Sequence, residues 1–146
     1  MMNTLLIFIW IWVAMMAMSF WEAYVEGRRA WDKGKLGWKI GFGSYKLTAY
    51  HFFVFVVMWP LLVSLPLVVY GWNAKLFGIL LSAYVSGTVI EDFMWYVVNP
   101  VVKIKEFSPK KLAKYYPWVN IFGFRIPLFY IVGVIISIIS WLILWK

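Results

Sequence analysis

No cysteine occurs in the 146 residues, which excludes disulfides, thiolate metal sites, iron–sulfur clusters and thiol nucleophiles together. Covalent haem attachment, which needs a Cys-x-x-Cys-His run, goes with them. Histidine is almost absent too. The single His51 rules out, within one chain, a three-histidine zinc site, a two-histidine-one-carboxylate iron triad and bis-histidine haem ligation. Charge is scarce: 14 % of residues are charged against 64 % hydrophobic, a balance too apolar for a soluble globule and one that points to the bilayer. Motifs are equally thin. The chain has no phosphate-binding loop, dinucleotide fingerprint or Gly-x-Ser-x-Gly elbow. It also lacks the paired-aspartate motif of CDP-alcohol phosphotransferases and the multi-histidine pattern of lipid phosphatases and membrane desaturases.

What is present is four long apolar runs, at about 3–22, 49–71, 76–99 and 127–145, each near the ~20 residues a bilayer crossing needs. They predict one all-α integral membrane domain, with four transmembrane helices in an up-down bundle. The first run has no positive charge ahead of it and no small-residue cleavage pattern, so it reads as a retained helix rather than a signal peptide. Pro60 and Pro66 interrupt the second run, and a neighbouring helix must satisfy the carbonyl each one frees. The short turn from Gly71 to Lys75 makes the second and third runs antiparallel neighbours.

A net charge of +8 invites a nucleic-acid reading, but its distribution argues for a membrane face. Six Lys/Arg lie between runs one and two and six between runs three and four, leaving Lys75 and Lys146 on the other side. That asymmetry predicts both termini outside and both basic segments against an anionic cytoplasmic leaflet. The first segment, Gly27 to Thr48, interleaves its charges with Trp31, Trp38, Phe42 and Tyr45. Its glycines at 34, 37, 41 and 43 suit a basic interfacial loop rather than a long helix. In the second, Ser108-Pro109 offers an N-cap followed by proline at the first helical position, predicting a short amphipathic interface helix that Pro117 ends.

The third run carries the chemistry. At 100° per residue, Tyr84, Thr88, Glu91, Asp92, Trp95 and Asn99 share one arc. Gly78, Ser82 and Ser86 share another, a small-residue face for close packing like that of Gly133 and Ser137 in the last run. Two carboxylates inside an apolar run cost roughly 2.5–3.5 kcal/mol each on insertion scales, so they are used or neutralised. Glu22 and Glu26 end the stripe of Phe8, Trp12, Met15 and Ser19 on the first run, and His51 begins the second at the same depth. Glu91, Asp92, Asn99, His51, Glu22 and Glu26 are therefore expected to face one cavity open to the cytoplasmic leaflet. Oxygen donors with one nitrogen suit a divalent cation such as Mg²⁺ or Mn²⁺, and Arg28 and Arg29 would hold a phosphate or lipid headgroup. The plainer expectation pairs Glu91 or Asp92 with Arg28, Arg29, Lys46 or Arg125, or protonates them against Thr88 or Tyr84. Two other functions fit the same residues. One is an accessory or assembly subunit whose polar arc meets a partner's transmembrane helix. The other is a proton or cation transporter or channel built as a homo-oligomer, because four helices alone enclose little.

Overall fold

The computed structural model describes residues 3–31, 34–43 and 45–145. Asp32, Lys33 and Lys146 (the last read as external) lie outside the described residues. The chain is mostly helical, and three of its helices are long and apolar enough to cross a membrane. Helix α1 is Thr4–Glu26, capped by Asn3, whose side chain accepts from Leu6 N. Helix α2, Ala49–His51, runs through a π-helical stretch, Phe52–Met58, into α3, Trp59–Tyr70. Asn73 caps α4, Ala74–Val98, and α5 is Leu128–Leu144.

Both basic segments contain a β-hairpin, which the sequence reading did not anticipate. β1, Lys39–Phe42, pairs antiparallel with β2, Tyr45–Thr48, and β3, Trp118–Ile121, with β4, Phe124–Pro127. The second turn is Phe122-Gly123, both at positive φ (49° and 86°), the geometry whose twist matches paired strands. Each hairpin is closed by the same bond. Ala49 N donates to Trp38 O at 2.9 Å, and 79 residues on in each case Leu128 N donates to Pro117 O at 2.8 Å. Long helix, basic segment, hairpin and returning helix thus occur twice in order. The amphipathic helix expected after Ser108 does not form. Residues 108–116 make successive three-residue turns, with Lys111 N on Ser108 O, Lys114 N on Lys111 O and Tyr116 N on Ala113 O. Seven residues between two prolines are too few for a helix that stands on its own propensity, and burial of Ala113 and Tyr116 sets the path instead.

The two long helices run parallel at the centre. Trp12 Nε1 donates to Ser86 Oγ at 2.9 Å, and at the far end Asn99 Nδ2 donates to Gly27 O at 2.9 Å. The buried stripe of α1, Ile11, Met15, Ser19, Glu22, Ala23 and Glu26, keeps the three- and four-residue spacing of an apolar face. On α4, Gly78 and Ser82 face α5: Ser140 Oγ donates to Gly78 O at 2.9 Å, and Ser82 and Ser137 exchange hydroxyl-to-carbonyl bonds at 3.2 and 3.3 Å. Ser86 departs from that face and meets α1 through Trp12. The run from Ala49 to Tyr70 is the loosest element, for none of its residues beyond His51 is buried. At its widened π turn Trp59 N bonds back to Val54 O. The next donor in that register is Pro60, which has none, and Tyr84 of α4 donates its hydroxyl to the freed Phe55 carbonyl.

Candidate functional site

Behind the hairpins, where α1 and α4 end, lies a cavity of about 490 Å³. Glu22 and Glu26 reach it from α1, His51 from α2, and Glu91 and Asp92 from α4. Glu22, Glu26 and His51 are buried, and one ligand atom from each lies within 4.8 Å of the others. Glu91, 4 % exposed, abuts the Glu22 carboxyl. Among the described residues Glu22 Oε1 and Glu91 Oε1 have no hydrogen-bond partner, nor do the buried Trp31 and Trp95 indole nitrogens, while the Tyr50 hydroxyl lies against Glu22. Native interiors leave few such atoms, and here most of them gather at one place.

The remaining sequence candidates fall outside this group. Asp92 gives both oxygens to phenols, Oδ1 to Tyr116 and Oδ2 to Tyr130 at 2.6 Å. Burial, with Asp92 beside it, pushes the Tyr116 phenol well above the usual tyrosine range and keeps it a donor. Asn99 is a brace: besides its bond to Gly27 O, its Oδ1 accepts from Val101 N and Val102 N, both at 3.0 Å. Arg28 is exposed and engaged with Glu106 (2.7 Å) and Val101 O (2.7 Å), which holds the Glu106 carboxyl below its usual range. Arg29 is exposed and lies along Gly34. Neither arginine lines the cavity.

Lys35 is the residue that sequence reasoning missed. It folds down from the first basic segment, pairs with Glu26, and places its Nζ 4.3 Å from the centre of the Tyr50 ring. Its position between Gly34, at φ +69°, and Gly37, at φ +89°, is the one signal of such a reach. His51 Nδ1 lies 2.7 Å from Thr48 Oγ1, so the residue that caps α2 also orients the ring. Compared with protein-family models, curated proteins and solved structures, the chain matches none.

Proposed function

We propose that this chain is a four-span membrane protein whose cytoplasmic-leaflet cavity binds a divalent cation on Glu22, Glu26, Glu91 and His51. The observation that carries the reading is the buried Glu22–Glu26–His51 group within 4.8 Å, joined by a Glu91 whose Oε1 has no partner among the described residues. Metal–oxygen bonds of about 2.0–2.6 Å place opposite ligands about 4–5 Å apart, so these atoms already stand at coordination spacing. A proton on Nδ1, donated to Thr48, leaves Nε2 as the ligand atom, the arrangement outer-shell partners impose on metal-bound imidazoles. Three carboxylates with one imidazole favour Mg²⁺ or Mn²⁺ over softer metals. On binding, Lys35 gives up Glu26 to the ion.

In this reading the three helices long and apolar enough to cross, Thr4–Glu26, Ala49–Tyr70 and Ala74–Val98, are joined by the shorter apolar helix Leu128–Leu144 as a fourth span. At ~1.5 Å per residue, the 17 residues of α5 reach about 26 Å, the short end of what a bilayer core requires. Phe122 and Phe124 at the second hairpin, 98 % and 73 % exposed, suit insertion among headgroups beside Lys and Arg. A second reading, that a partner helix or a second copy completes the protein, rests on the bare run from Phe52 to Tyr70, and native-mass measurement from mild detergent tests it. The metal reading is tested on purified protein by measuring bound manganese and melting temperature together. Glu22→Gln and Glu91→Gln should each lose manganese and keep their melting temperature. Folded variants with unchanged manganese would sink the assignment.

A further inference from the structure

The cavity is far larger than an ion needs, and about 490 Å³ lies in the range of organic-ligand pockets. Among the described residues its wall holds Glu22, Glu26, Glu91 and Asp92 but no lysine or arginine, the nearest cation being Lys35 on Glu26. A phosphate head would face four carboxyl groups with only Lys35, already paired with Glu26, to offset them, whereas a cationic head meets carboxylates on one side and aromatic side chains on the other. Trp31 organises those faces. Its ring stacks on Tyr115 at 4.7 Å and 8°, and lies 4.7 Å from Tyr45 and 4.5 Å from His51. Trp31 does this from a backbone φ of 65°, the left-handed region that bulky residues rarely adopt and that clusters at ligand sites.

The chain already contains one example of the recognition this wall implies. The Lys35 ammonium sits between the Glu26 carboxylate and the Tyr50 ring, which is how aromatic and acidic groups hold an ammonium. Part of the cavity wall is apolar. Leu47, Phe55 and Val56 line it from the first half, and Leu128 and Val132 from α5. The run from Ala49 to Tyr70 and α5 pack at most sparsely against each other. An apolar tail can lie between them into the bilayer while the head stays inside.

We propose that the cavity takes a single-tailed amphiphile with an ammonium head, the head seated against Trp31, Tyr45 and Tyr115 with the carboxylates as counter-charge. This rests on reading the cavity as a cation site, and the test separates the two. Metal-free protein in maltoside micelles is titrated with dodecyltrimethylammonium, with dodecylphosphate of equal tail length, and with tail-less tetramethylammonium, following the melting temperature. Saturable stabilisation by the ammonium amphiphile is expected, at least tenfold tighter than by either control. Trp31→Leu should weaken it roughly tenfold, the span of a well-placed cation–π contact, and Trp31→Phe should retain most of it. Equal or tighter binding of dodecylphosphate, equal binding of tetramethylammonium, or indifference of a folded Trp31→Leu variant would overturn the proposal. Manganese bound without any ammonium selectivity would sink this inference alone. Ammonium selectivity in a protein that binds no metal would sink the metal reading alone.

Discussion

Replacing Asn99 separates a brace from a ligand. Its side chain makes three bonds at once, to Gly27 O at 2.9 Å and from Val101 N and Val102 N at 3.0 Å, and it is 6 % exposed. Asn99→Ala leaves one carbonyl and two amides without partners. Each such group costs about 1–3 kcal/mol, less where solvent reaches it, so a total near 3–4 kcal/mol is expected. For a chain of this length that is a fall of roughly 10 °C in melting temperature. Asn99→Asp retains the acceptors for Val101 and Val102 but sets a carboxylate against the Gly27 carbonyl, and should lose nearly as much. Circular dichroism melts in detergent give the stabilities, and elemental analysis at low temperature gives the metal. Both variants should melt early and, while folded, carry wild-type manganese. If Asn99→Ala melts like the wild type, or Asn99→Asp keeps stability while Asn99→Ala loses metal, the brace assignment is wrong.

Three further outcomes follow from the packing and the charge pattern. A Cβ at Gly78 would stand 2.6 Å from Leu144 Cβ, whereas one at Gly87 meets the flexible Met15 side chain at 2.9 Å. Gly78→Ala should therefore cost about 1–3 kcal/mol and Gly87→Ala under ~1, read from the same melts; equal tolerance would refute the close α4–α5 approach. Tyr84→Phe strands the Phe55 carbonyl that Pro60 cannot satisfy and should cost about 1–2 kcal/mol, with no loss expected if the π turn closes without it. Single cysteines at Lys75, Lys39 and Lys111 should react with an impermeant maleimide in intact cells at 75 alone, and labelling at 39 or 111 would reverse the orientation.

The long helices were legible because apolar runs of bilayer length admit few other readings, and their ends at Asn3, Asn73 and Asn99 carry local capping signals. An expected alternation of the four runs put Glu22, Glu26 and His51 near one surface and Glu91 deeper, facing the same cavity. The hairpins were hidden. The four-residue strands of the first lie in a segment rich in lysine and glycine, those of the second directly before the last apolar run, and the hydrogen bonds that close both pair positions eleven residues apart. The repeat stayed hidden for a related reason: its halves share element order and closing bonds while their side chains differ, with His51 against Glu26 in one and Tyr130 on Asp92 in the other. Ser108-Pro109 has good local chemistry for a helix start, but burying Tyr116 and Ala113 outweighed it. Lys35 escaped notice because the glycines on either side mark a loop that can bend but not the direction in which it folds.

The proposed metal centre has one nitrogen among oxygens, and that asymmetry can be read directly. Purified protein loaded with Mn²⁺ and studied by pulsed electron paramagnetic resonance should show coupling to a single ¹⁴N nucleus. His51→Gln should abolish that coupling, leaving an all-oxygen spectrum or no bound manganese. A wild-type spectrum without nitrogen coupling, or one that His51→Gln leaves unchanged, would contradict a cation held by Glu22, Glu26, Glu91 and His51.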